Sequence, residues 1–267
     1  MQQSLTITLI QTALHWEDKA ANLAMLQQKI MSIEEKTELV VLPEMFSTGF
    51  SMKPQQFAEA MDGDTVQWMK NVAKQKRIIL TGSVIIEEDG NYYNRLIWML
   101  PNGSHGCYNK RHLFGYAGED EHYTPGSKRM ITSVKGWRIN TQVCYDLRFP
   151  VWARQSATDN ENNEAEYDIL LYVANWPERR NAAWQTLLTA RAIENQCYVI
   201  GVNRVGTDGN NIHHCGNSML IDALGNVLYC KADEEDIFTI TLHKKDLSDI
   251  RNKFPFLPDR DQFTIQP

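Results

Sequence analysis

Four short apolar, β-prone runs in this chain each stop on residues that can do chemistry. That repeated ending constrains the fold more than any bulk property does. Leu39 to Leu42 is closed by Pro43 and delivers Glu44. The run that ends at Asn109 delivers Lys110. Thr141-Gln142-Val143 gives way to Cys144, followed by Tyr145, Asp146 and Arg148 and stopped by Pro150. Ile169 to Ala174 delivers Asn175-Trp176-Pro177. Short apolar runs cut off by Pro and polar residues read as buried strands. In α/β proteins, groups at the carboxyl ends of strands face a crevice. The chemistry is therefore expected along one end of a sheet.

The rest of the chain supplies the layers. Leu5 to Gln11 alternates as a first strand. Asn22 to Ile33 and Thr65 to Lys76 carry apolar residues at helical spacing, with Asp64 as the expected N-cap of the second helix. Ile78 to Ile86 and Tyr93 to Leu100 flank the hairpin turn Asp89-Gly90-Asn91. Met45 to Lys53 reads as a loop beside the site, its Phe46 and Phe50 serving as pocket wall or as core. Residues 115–126 read as an acidic, Gly-containing loop. Val151 to Gln155 starts a helix, and Ala157 to Glu166 is a polar surface insertion. Ala182 to Glu194 is a helix and Cys197 to Asn203 a strand. Ser218 to Ile221 pairs with Val227 to Tyr229, and Ile237 to Leu242 is a late strand. Asp246 to Lys253 is a short helix, followed by an extended tail, Phe254 to Pro258. Strands and helices alternate twice, before and after about residue 90. This predicts two α–β layers packed sheet to sheet. No repeat or linker divides the chain, so residues 1–267 read as one domain.

Composition removes several function classes. A formal net charge of -6 argues against nucleic acid, whose phosphates want a basic face. No apolar run approaches the roughly 18 residues of a membrane span. The N-terminus shows no signal-peptide pattern, and the five cysteines have no close-paired spacing. The expectation is a cytoplasmic protein with reduced thiols.

A free cysteine is usually a small buried hydrophobe. It becomes a nucleophile where neighbours make it a thiolate. Glu44 offers a base and Lys110 a cation for Cys144. A carboxylate is a weak base in water; burial strengthens it and an adjacent lysine opposes that rise, so the residues leave the sign open.

Leu42-Pro43-Glu44, the run Tyr108 to Phe114 and the run Val143 to Pro150 resemble, in order, the three signature motifs of the nitrilase superfamily of carbon–nitrogen hydrolases. The runs Tyr172 to Pro177 and Thr189 to Asn195 are also similar to that family. The resemblance extends from about Ile7 to about Ile240, and the branch it most resembles is the ω-amidase group. It implies a four-layer αββα sandwich of the nitrilase type and a Glu44, Lys110 and Cys144 triad. It also implies a second glutamate from residues 115–126, best matched by Glu119, with Glu121 as the rival. The implied activity is hydrolysis of the ω-amide of short dicarboxylic acids, such as 2-oxoglutaramate or 2-oxosuccinamate. A homodimer, a small-molecule partner, and neither cofactor nor metal come with it. Phe114, Tyr116, Tyr145 and Trp176 are candidates to line a small pocket, and Arg148 or Arg204 to receive the substrate carboxylate.

Three rival readings stand beside this one. The same chemistry serves nitrilases, N-carbamoyl amino-acid hydrolases and deaminated-glutathione amidases. A metal module would use His213-His214-Cys215, with His105 near Cys107; adjacent ligands are poor zinc spacing and no C-x-x-C occurs. A non-catalytic scaffold would be marked by a lost triad residue, and none is lost.

Overall fold

The computed structural model describes residues 3–155 and 165–265. The first half contains β1 (Ser4–Gln11), α1 (Lys19–Met31), β2 (Leu39–Val41), α2 (Pro54–Phe57), α3 (Asp64–Lys76), β3 (Ile79–Glu88), β4 (Asn91–Met99), β5 (His105–Asn109) and α4 (Glu119–His122). The second contains β6 (Met130–Val134), β7 (Trp137–Val143), α5 (Pro150–Ala153), β8 (Ile169–Ala174), α6 (Asn181–Asn195) and β9 (Tyr198–Asn203). It continues with β10 (Val205–Thr207), β11 (His213–Ile221), β12 (Val227–Ala232), β13 (Asp236–His243) and α7 (Lys244–Lys253).

These strands form two mixed sheets. The six-stranded sheet has the order β13-β1-β2-β3-β4-β5, so the late strand β13 returns to the edge beside β1. The seven-stranded sheet runs β10-β11-β9-β8-β7-β6, with β12 also paired to β11. Of the strands that deliver the chemistry, β2, β7 and β8 sit in parallel pairings, β2 with β1 and β3 and β8 with β7 and β9, whereas β5, which delivers Lys110, pairs antiparallel with β4.

Strand alternation sorts the side chains into layers. In β2, Leu39 and Val41 face the second sheet while Val40 faces the helices. β4 repeats the pattern, with Leu96 and Trp98 toward one side and Ile97 and Met99 toward the other. Leu26 and Ile30 of α1 and Val66, Met69 and Val72 of α3 cover the helix side. In the second sheet, Trp184, Leu188 and Ala192 of α6 cover the outer face. β8 is buried on both faces, which is why its sequence is a continuous apolar run. The result is the αββα sandwich expected from the sequence.

Several local expectations change. Asp64 is not the N-cap of α3; Gly63 is, without a side-chain hydrogen bond. Glu59 reaches in instead and accepts the Thr65 N–H at 3.2 Å, while Asp64 lies in the first turn where the helix dipole favours it. Residues 115–126 are more ordered than a loop: a 3-10 turn, Gly115–Ala117, leads into α4. β6 and β10 escaped the sequence reading, β6 as a partly polar edge and β10 because it has only three residues. β11 begins at His213 rather than Ser218. Of the polar insertion expected from Ala157 to Glu166, residues 157–164 lie outside the described residues, while Ala165 is buried and Glu166 pairs with Arg129 at 2.6 Å. The tail packs on its own domain, with Leu257 buried and the Phe254 carbonyl accepting Gln196 Nε2–H at 2.7 Å. No helix among the described residues is long and apolar enough to cross a membrane.

Candidate active site

Glu44 is delivered by a tight turn after β2. Met45 sits at φ 43°, and its N–H is anchored on Ser83 Oγ at 2.8 Å. Gly82 in β3 makes room for that turn, because a Cβ there would lie 2.7 Å from Phe46 Cδ1. Lys110 follows β5, with its N–H on the Asn94 carbonyl at 2.9 Å. Gly126 returns the next loop onto this segment; a Cβ there would lie 2.1 Å from the Asn109 carbonyl oxygen. Cys144 follows β7 at φ 44°, opening a 3-10 turn, Cys144–Arg148. A left-handed backbone at a non-glycine residue persists only where its surroundings impose it.

The three turns converge. Lys110 Nζ donates to Glu44 Oε1 at 2.9 Å and to Glu119 Oε1 and Oε2 at 3.0 and 2.8 Å. The side chains of all three residues are fully buried. Asn94 Nδ2 bridges the carboxylates, at 2.8 Å from Glu44 Oε1 and 3.1 Å from Glu119 Oε1. The Asn175 N–H holds Glu44 Oε2 at 2.8 Å, and the Phe114 N–H holds Glu119 Oε2 at 2.6 Å.

Two glutamates face one lysine in a fully buried cluster. Burial alone would lower the Lys110 ammonium, but Glu119 and Glu44 outweigh it and hold it above the usual lysine range. Glu119 is pushed up by burial, against the pull of Lys110. The Cys144 thiol is pushed well up by burial, then by the neighbouring Glu44 carboxylate, with Lys110 opposing.

Cys144 is 9% exposed, at the floor of a cavity of about 210 Å³. That is below the ~300 Å³ at which most drug-sized ligand sites begin. Phe50, Phe114, Tyr145 and Trp176 supply apolar wall. Arg148, Arg179 and Arg180 also line it. The Arg148 guanidinium stacks 5.0 Å over Trp176 and that of Arg180 4.9 Å over Phe114. Among the described residues none of these three arginines is in an ion pair. The one carboxylate in the lining, Asp208, accepts the N–H groups of Asn210 and Ile212 on Oδ1 at 2.8 and 3.0 Å.

A family model described as carbon-nitrogen hydrolase matches residues 6–252. The chain belongs to the carbon–nitrogen hydrolase family. It is 43% identical to the ω-amidase YafV of Escherichia coli K12, covering 98% of both chains. It is 30% identical to a 2-oxoglutaramate amidase of Bacillus subtilis, covering 95% of this chain and 96% of that one. Its fold is similar to that of XC1258 from Xanthomonas campestris, a CN-hydrolase superfamily protein crystallised with an arsenic adduct in the active site. The TM-score there is 0.96 at 41% identity, covering 98% and 99% of the two chains.

In this carbon–nitrogen hydrolase the residues singled out from sequence meet in one place, with exceptions. Glu44, Lys110, Glu119 and Cys144 cluster as described, and Phe114, Tyr116, Tyr145, Arg148 and Trp176 all line the cavity. Glu121 is exposed, whereas Glu119 is buried on Lys110. Phe46 belongs to the core under the helices and Phe50 to the cavity. Arg204 is not in the lining; it is 1% exposed and donates to the carbonyls of Val205 and Leu14. His213, His214 and Cys215 are consecutive strand residues, so their side chains alternate between faces and do not converge. Among the described residues the one group of three metal-capable side chains with converging atoms is Glu178, His213 and Asp233, all exposed. Asn94, Arg179 and Arg180 were missed. The arginines had a signal, since they directly follow Glu178 after Asn175-Trp176-Pro177; Asn94 had none, being one polar residue in a strand.

Proposed function

We propose that this enzyme hydrolyses the ω-amide of short dicarboxylic acids, 2-oxoglutaramate and 2-oxosuccinamate, to the acid and ammonia through a thioester on Cys144. The observation that carries the reading is a small cavity lined by the Cys144 thiol, with the buried Glu44–Lys110–Glu119 cluster behind it, that also presents three arginines without ion pairs. One end of such a cavity suits a reacting amide and the other a carboxylate.

In the first half-reaction Cys144 sulfur attacks the amide carbon while its proton passes to Glu44. The oxyanion is stabilised by the Tyr145 backbone N–H and by the charge of Lys110, which donates to both glutamates. Glu44 then gives the proton to the departing nitrogen, the C–N bond breaks, and ammonia leaves a thioester. In the second half-reaction Glu44 takes a proton from water as the oxygen attacks the thioester carbon. The C–S bond breaks, the thiol is reprotonated and the acid departs. Glu119 and Asn94 keep Lys110 and Glu44 in register throughout. Apart from substrate and water, these steps use only groups of the chain. The same reading takes the enzyme as one domain that works as a cytoplasmic homodimer.

The test is ammonia release with 2-oxoglutaramate, beside Cys144→Ala and beside glutamine, asparagine, a simple nitrile and an N-carbamoyl amino acid. Rapid turnover of the oxo-amide, lost in the variant, is the expected result. Turnover confined to another compound moves the substrate to a neighbouring branch of the family. Inertness toward all of them, with Cys144 unreactive to a thiol probe, favours a scaffold.

A further inference from the structure

Asp146 lies two residues after the thiol, fully buried, and does not line the cavity. Its carboxylate is saturated by donors from two directions. Oδ2 accepts the Val143 N–H at 3.0 Å and the Tyr108 hydroxyl at 2.7 Å. Oδ1 accepts the His112 N–H at 3.0 Å and lies 2.8 Å from His112 Nδ1. Val143 precedes the nucleophile, whereas Tyr108 and His112 stand two residues either side of Lys110. A single buried group thus grips the cysteine turn and the lysine segment together.

The grip is itself held rigid. The Tyr108 hydroxyl accepts Trp152 Nε1–H at 2.9 Å and the Arg111 N–H at 3.3 Å. The His112 ring stacks on Phe149 at 3.7 Å between centroids and 5° between planes. Phe149 and Trp152 both follow the cysteine turn, so the aromatic contacts cross the same junction as the hydrogen bonds. The feature in need of restraint is the left-handed backbone of Cys144, at φ 44°.

We infer that Asp146 is a positioning residue for the reaction: its carboxylate holds Cys144 in the left-handed turn and sets the distance between the thiol and Lys110. The inference rests on the reading of Cys144 as the nucleophile. Asp146 acts through Val143, Tyr108 and His112 and never touches substrate. A carboxylate serves where an amide does not, because every polar neighbour directed at it is a donor or can be one. In Asp146→Asn the amide NH2 must face one of those donors.

The experiment compares Asp146→Asn, Tyr108→Phe and Cys144→Ala with wild type in three readouts: kcat and KM for amide turnover, the rate of Cys144 alkylation by iodoacetamide, and thermal unfolding. A displaced reacting group costs about a hundredfold in rate, so Asp146→Asn is expected to lower kcat by about that factor while KM changes little. Alkylation should slow in parallel. Tyr108→Phe keeps the carboxylate and the ring packing but removes one bond, and should move kcat and alkylation in the same direction by less. Should Asp146→Asn fail to fold, Tyr108→Phe decides by the same two rates. A role confined to fold stability would lower the unfolding temperature of both variants and leave kcat and alkylation at wild-type values; that result overturns the inference. Cys144→Ala separates the two levels. If it retains turnover, the nucleophile reading has failed. If it is inert while Asp146→Asn works normally, only the positioning role is lost.

Discussion

Replacing Lys110 by Met tests the electrostatic account of the site at its centre. The side chain keeps nearly the same length and loses its charge. Its Nζ lies 2.9 Å from Glu44 and 2.8 Å from Glu119, all three side chains being fully buried. At an effective dielectric of about 20, each contact corresponds to roughly 5 to 6 kcal/mol of gross attraction. Desolvation offsets much of that, and removing one partner of a buried pair typically costs about 3–5 kcal/mol. In a chain of this size each kcal/mol shifts Tm by about 2–4 °C, so Lys110→Met should unfold about 6–20 °C lower near neutral pH. The loss should also depend on pH. Glu119 is already held above the usual carboxylate range by burial, and losing Lys110 raises it further. A folded-state value above the unfolded one contributes stability at low pH that is lost as pH rises through the folded value. The deficit should therefore be largest above neutrality and shrink toward about pH 5. Adding Glu119→Gln removes the surplus charge, so the double variant should be more stable than Lys110→Met alone. Thermal unfolding of wild type and the two variants across that range is the assay. A Lys110→Met protein with wild-type Tm at every pH, or a double variant less stable than the single one, would refute the account.

Three further outcomes are expected. Arg180→Ala and Arg148→Ala should each raise KM for 2-oxoglutaramate about 10- to 100-fold, the worth of a charged hydrogen bond of about 1.5–3 kcal/mol. An uncharged amide of similar size should be much less affected in steady-state kinetics. Because burial and then Glu44 push the Cys144 thiol up, ultraviolet titration at about pH 8 should show no thiolate that disappears on Cys144→Ala. Asn94→Ala strips one donor from each glutamate, and should cost about 1–3 kcal/mol in stability while lowering kcat more than it raises KM.

Much of the site was legible because it is built at strand ends. Glu44, Lys110 and Cys144 each follow an apolar run, and a strand end is a local property that Pro43, Asn109 and the change at Cys144 already mark. The same locality explains why the sheets and long helices were readable from periodicity. Elements too short or too polar to carry a period, β10 and β6, were not. The choice between Glu119 and Glu121 was illegible for a different reason. Both lie in one acidic stretch, and burial against Lys110 separates them only after α4 forms.

By itself the sequence determined which residues could react and that they would gather at one end of an α/β sandwich. Residue type and strand periodicity suffice for that. Tertiary structure alone decided how they are held. Asn94 bridges two glutamates far apart in sequence, and Asn175 reaches Glu44 from the other sheet. Arg148 and Arg180 lie over aromatic rings without carboxylate partners, whereas Arg204 is turned to backbone carbonyls. Charge balance, desolvation and hydrogen-bond direction depend on distances between segments that chain order leaves unspecified.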